Sequence, residues 1–111
     1  MAGTADPQVP YLGGTVAGST VQIPPVETTM GGYADHYHCT VPPSQELPLP
    51  GVMRQRYDGC VRGTLVVLDT VVGGTHEWPG GAQAENNPMD SASGKQFDAT
   101  SEILDLFDSV P

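Results

Sequence analysis

Two residues stand in settings suited to proton transfer. His76 lies in GGTHEWPGG, directly after an apolar run; Gly73, Gly74, Gly80 and Gly81 permit tight turns there, and Trp78 with Pro79 can fix the loop by packing. An imidazole held in such a loop can take a proton from a hydroxyl and return it to a leaving group near neutral pH. Asp6, in GTADPQVPY, also reads as a loop residue. A carboxylate from a second loop can orient the imidazole and stabilise its charged form, as in acyl transfer by a Ser-His-Asp site. Each residue also has a plain reading, His76 as a loop histidine without a role and Asp6-Pro7 as an ordinary turn.

The third member of such a site is not evident. No G-x-S-x-G elbow occurs, and Ser19, Ser44, Ser91 and Ser93 all sit in polar loops without that context. His36, His38 and Cys39 of HYHC, with His76 as a fourth, are the residue types of a zinc site. Two histidines two positions apart in a helix do not face one site, so the expectation is no metal and no cofactor. GGTHEWPGG also lacks the lysine and following helix of a phosphate-binding loop.

The 111 residues suffice for one modest domain and are too few for a complete large α/β enzyme. With 14 Gly and 11 Pro, turns and long connections must be abundant and regular elements few. A formal charge of -9, from 13 acidic and 4 basic residues, repels a phosphate backbone and an anionic membrane surface. No apolar run approaches the roughly 20 residues of a membrane span. The opening MAGTADPQVPY has neither the basic start nor the apolar stretch of a signal peptide, so a secreted parent is expected to carry its signal upstream. Cys39 and Cys60 could close a loop of about 20 residues, contributing roughly 3 kcal/mol, or could remain unpaired.

The elements that would position the two loops are few. Residues 3–14 read as a loop without strand support. Val26, Met30, Tyr33, Ala34 and Tyr37 follow helical spacing, with Pro25 at the helix start and Gly31 and Gly32 weakening the interior. Residues 40–51 read as a proline-rich connector. Residues 52–57 alternate as an edge strand or one with a wet face would, and residues 65–72 are apolar on both faces, as in a strand covered on both sides of an α/β sheet. Residues 82–97 are polar and turn-rich. A last helix is expected where Ile103, Leu104, Leu106, Phe107 and Val110 form a stripe behind an Asp98 N-cap. These elements imply either a sheet completed by something outside the chain or a small self-contained α+β domain.

GTADPQVPY followed by Gly13-Gly14 resembles the acid-bearing loop of the secreted esterase family that includes polyhydroxybutyrate depolymerases and feruloyl or acetylxylan esterases of the α/β-hydrolase fold. VGGTHEWPGG resembles that family's G-G-x-H-x-W-P-G-G signature, and Tyr33 to Cys39, YDGC at 57–60 and the closing helix follow in order. Two departures stand out. Ala2 occupies a position where the family usually has histidine, and the family's nucleophile elbow has no counterpart here.

The resemblance implies an α/β fold in which residues 1–111 form the C-terminal portion of an α/β-hydrolase esterase domain, an incomplete parallel sheet with flanking helices and long loops. It implies Asp6 as triad acid, His76 as triad base, Trp78 as a substrate-side residue and a Cys39–Cys60 disulfide. The implied parent is an extracellular serine-type carboxylic ester hydrolase acting on polyhydroxyalkanoate, feruloyl or acetylxylan esters, with this chain inactive alone. The expected partners are the ester substrate and either a nucleophile-bearing N-terminal part or a second copy, with no nucleic acid and no membrane. A missing sheet would leave residues 65–72 and the stripe 103–110 partly uncovered. The alternative is a noncatalytic extracellular binding or structural module built from the same segment.

Overall fold

The strongest local tendency is the run Val66–Val71, rich in β-branched residues, and it forms the strand around which the chain is arranged. The computed structural model describes residues 1–76 and 98–110. In chain order the elements are β1 (Ala2–Gly3), β2 (Gly14–Thr15), β3 (Gln22–Ile23), α1 (Val26–His36), β4 (Ser44–Leu49), β5 (Val52–Tyr57), a 3₁₀ turn (Val61–Gly63), β6 (Val66–Val71) and α2 (Ala99–Ser109). One sheet runs β1-β6-β5-β4, and β2 pairs with β3 in a separate two-stranded ribbon.

This architecture corrects the expected fold class. The sheet is mixed: β1 runs parallel to β6, whereas β5 runs antiparallel to both β6 and β4. It is not the incomplete parallel sheet of an α/β-hydrolase fragment. The reason lies in the connections. A parallel neighbour requires a crossover of about a dozen residues or more, and only residues 58–65 separate β5 from β6. Between β4 and β5 stand just Pro50 and Gly51, the latter at φ 83°, which is the proline-then-glycine pattern of a tight type II turn.

Three local expectations also change. The segment expected to be a connector is strand β4 over Ser44–Leu49, almost wholly exposed and irregular in register between Glu46 and Leu49. Taking the sheet edge, β4 leaves β5 as an interior strand with every residue at least partly buried. The opening loop does have strand support, from β1, in which Ala2 pairs with Thr70 and Gly3 with Val71.

The centre of the sheet supplies the core. Val52, Leu68, Thr70 and Val71 are the largest fully buried side chains, and Ala34 of α1 and Ala99 of α2 are buried as well. Buried Asp69 lies across from Arg54 in the β5–β6 register. Arg54 grips it through two parallel bonds, Nε to Oδ1 at 2.7 Å and Nη2 to Oδ2 at 2.8 Å, and reaches Glu102 Oε2 of α2 at 2.9 Å. The paired bonds from Asp69 raise the Arg54 pKa above its ordinary value against the opposing effect of burial, with Glu102 adding to the rise. This three-residue cluster joins the last helix to the sheet, since a charge buried here without its partner would be costly.

Asp98 caps α2 as expected, accepting from Ser101 N at 3.1 Å. The helix covers less than its stripe allows. Leu104 and Phe107 are 56 % and 65 % exposed, so that part of the stripe is uncovered, whereas β6 is buried along nearly its whole length.

Cys39 and Cys60 form the disulfide that the resemblance implied. It joins the end of α1 to the turn after β5 and closes a loop containing the β4–β5 hairpin, a constraint contributing about 3 kcal/mol through the unfolded chain. Around it, Val61 N donates to Tyr37 O at 2.9 Å and Thr40 N to Gly59 O at 3.3 Å.

Gly31 and Gly32 lie inside α1 with open space where a Cβ would stand. Gly31→Ala is expected to stabilise the chain by about 1 kcal/mol, from helix propensity alone. Urea denaturation of the disulfide-intact protein checks this, and a lower midpoint would mean that α1 is not formed as described.

Candidate functional site

The two chemically suited residues come together because two parallel neighbouring strands end at the same edge of the sheet. β1 leads into the loop carrying Asp6, and β6 leads into the loop carrying His76. Beyond the strand register the loops remain joined. Thr4 N donates to Val71 O at 3.1 Å, Ala5 N to Gly74 O at 2.9 Å, and Gly73 N to Thr4 Oγ1 at 2.7 Å.

Close approach of the loops requires glycine at position 3, and the tight turn of the base loop requires it at position 74. A Cβ on Gly3 would run into the Gly74 carbonyl and stand 2.8 Å from Thr75 O; one on Gly74 would meet Val71 at 2.9 Å. Gly73 turns the chain at φ 74°, a conformation that side-chain-bearing residues rarely adopt.

At the end of these loops His76 Nδ1 lies 2.9 Å from Asp6 Oδ2. The other carboxylate oxygen, Oδ1, accepts from Gln8 N at 2.8 Å and Val9 N at 2.9 Å, so the acid loop folds back on its own side chain. Burial pushes the Asp6 carboxyl up, but the Val9 N–H, the His76 contact, the Gln8 N–H and the charge of protonated His76 together hold it below its ordinary 3.8. Asp6 is therefore an acceptor-only carboxylate at neutral pH, which assigns the shared hydrogen to His76 Nδ1. Nε2 is then the nitrogen able to accept a proton. The Asp6 side chain is 11 % exposed and His76 is 52 % exposed, so the acid is sheltered and the imidazole is reachable.

Beside the pair is a cavity of about 340 Å³ between the sheet and the helices. Asp6 and His76 line it together with Val26 and Met30 of α1, Leu68 and Val71 of β6, and Ile103 of α2. Its wall is mainly aliphatic, with the charged pair on one side.

Other residues singled out from the sequence fall elsewhere. Trp78 lies outside the described residues, as do Ser91 and Ser93 and the expected polar loop 82–97. Ser19 serves its own turn, donating to Val16 O at 2.9 Å and accepting from Val21 N at 3.1 Å. Ser44 begins the exposed edge strand β4. His36 ends α1, its ring set edge-on to Tyr37, and Cys39 is taken up by the disulfide and so presents no thiolate to a metal. Sequence reasoning overlooked Thr4, which ties the two loops, and Tyr11, whose hydroxyl lies 3.0 Å from buried Thr70 Oγ1 at the far end of the acid loop. The available signal was Gly3-Thr4, three and two positions before the aspartate.

No protein family, curated protein or solved structure matches the chain.

Because Asp6 is held below its ordinary pKa, its pairing stabilises the fold above pH 3.8 and that stabilisation is lost as pH falls through the lowered value. Urea midpoints of the wild-type chain and Asp6→Asn should therefore differ at pH 5 and converge toward pH 2. A difference that stays constant across this range would show that Asp6 is not paired in the folded chain.

Proposed function

We propose that this chain supplies the acid and the base of a secreted serine-type carboxylic ester hydrolase, with the serine provided by a polypeptide segment outside these 111 residues. The observation that carries the reading is the 2.9 Å contact between Asp6 Oδ2 and His76 Nδ1, with Asp6 held ionised by backbone N–H groups. The resemblance of GTADPQVPY and GGTHEWPGG to the loops of secreted esterases supports it. The Cys39–Cys60 disulfide is in keeping with an oxidising, extracellular setting.

In the complete site the serine hydroxyl attacks the ester carbonyl while His76 Nε2 takes its proton, and Asp6 stabilises the imidazolium through Nδ1–H. The imidazolium then gives that proton to the departing alkoxide, leaving an acyl-serine. Water attacks the acyl-serine by the same route: Nε2 removes a proton from water, the serine leaves with the proton returned, and the carboxylic acid is released. The substrate classes are polyhydroxyalkanoate polyesters, feruloyl esters and acetylated plant polysaccharide. The aliphatic wall beside His76 and the neighbouring Asp6 carboxylate favour an uncharged ester over an anionic one.

Hydrolysis of p-nitrophenyl acetate and butyrate tests this. The purified chain alone is expected to work at the background rate. The same chain joined to a nucleophile-bearing N-terminal part should turn over, with His76→Ala and Asp6→Asn each losing on the order of 10⁴-fold in kcat. A His76-dependent rate from the chain alone would place the nucleophile within it. No turnover from the joined segments would favour a noncatalytic extracellular module.

A further inference from the structure

Thr4 is exposed and lies two residues before the proposed acid, yet its hydroxyl is engaged at the opposite loop. It accepts from the N–H of Gly73 at 2.7 Å, a contact spanning 69 positions of sequence. Gly73 is where the chain turns at positive φ, so this bond holds the turn from which Gly74, Thr75 and His76 emerge. The same residue's backbone N–H donates to Val71 O at 3.1 Å, and its neighbour Ala5 donates to Gly74 O at 2.9 Å. Three anchor points, at Val71 ending β6 and at Gly73 and Gly74 of the base loop, are thus bound by residues 4 and 5. The two backbone bonds set the spacing of the loops. The hydroxyl bond sets the path of the turn between them.

We propose that Thr4 is a positioning residue for the Asp6–His76 pair: its hydroxyl fixes the Gly73 turn and with it the placement of the imidazole against the carboxylate. The inference rests on the proposed acid and base roles of that pair and adds a residue that touches neither reacting group. Its physical basis is the steep dependence of proton-transfer sites on geometry, where a misplacement of about 1 Å can cost 10²-fold in rate. A serine could make the same bond, because only the hydroxyl oxygen is used. A valine keeps the shape of threonine and removes the acceptor, leaving Gly73 N–H without this partner.

The test uses the 111-residue chain with its disulfide intact and reads His76 by proton and ¹⁵N NMR. A Nδ1–H donating to an ionised carboxylate gives a far-downfield proton resonance, which a merely structural role for Thr4 would leave unchanged. In wild type and Thr4→Ser this resonance is expected to be present. In Thr4→Val, with the amide spectrum otherwise preserved, it is expected to shift upfield or broaden beyond detection. The same resonance unaltered in Thr4→Val would overturn the positioning role.

Asp6→Asn separates the two levels: if it also leaves His76 unaltered, the pair does not exist and the acid and base assignment falls together with the inference. Should Thr4→Val fail to fold, hydrogen exchange in wild type decides. The Gly73 amide is expected to exchange at least tenfold more slowly than an unprotected peptide, and exchange at the unprotected rate would overturn the proposal.

Discussion

The chain depends on one short parallel pairing, Ala2 against Thr70 and Gly3 against Val71. Two residues of strand are little structure by themselves, yet they place the exits of β1 and β6 side by side. Everything chemically distinctive follows from that adjacency. Once the exits are neighbours, backbone bonds from Thr4 and Ala5 to Val71 and Gly74 extend the pairing into the loops. Gly3 allows the approach because it has no Cβ to meet Gly74 and Thr75, and Gly74 lets the base loop fold back over Val71. The carboxylate and the imidazole then meet with no long side-chain reach, and the acid is held ionised by its own loop's N–H groups before the histidine is counted.

The rest of the fold keeps β6 in place so that this pairing can form. β5 lies along its other edge in antiparallel register over six residues, and the Arg54 fork across that register neutralises Asp69 inside the sheet. The third bond of the fork runs from Arg54 of β5 to Glu102 and ties α2 to the sheet. On the far side of the hairpin, the disulfide ties α1 to the turn after β5. Tyr11, by meeting Thr70, anchors the returning end of the acid loop to β6. A single strand is therefore gripped by a strand on each edge, by an ion cluster and by a tyrosine, and it delivers the histidine from a fixed point.

Much of this was legible in the sequence, and the residues show why the remainder was not. The apolar stretch in β6, the Pro25 start of α1 and the Asp98 cap of α2 are local signals, and each element formed where those signals stood. Asp6 and His76 were visible as chemistry, and the structure brings them together. The sheet's direction is not encoded locally, because a run covered on both sides is compatible with either strand orientation. The deciding information was the short link 58–65 and the Pro50-Gly51 turn, which force antiparallel neighbours. β4 was hidden by Pro48 and by the prolines flanking it; an edge strand tolerates Pro48 because one row of its N–H groups faces outward. Thr4 went unnoticed because its role depends on a partner 69 positions away, which no local pattern encodes.

The most direct measurement is the tautomer of His76 in the folded chain, read from the ¹⁵N shifts of its two ring nitrogens between pH 7 and 9. With Asp6 ionised and 2.9 Å from Nδ1, the hydrogen of the neutral ring is expected on Nδ1, with Nε2 unprotonated and able to accept. A ring carrying its hydrogen on Nε2, or averaging between the two nitrogens as free imidazole does, would contradict the pairing on which the site is built.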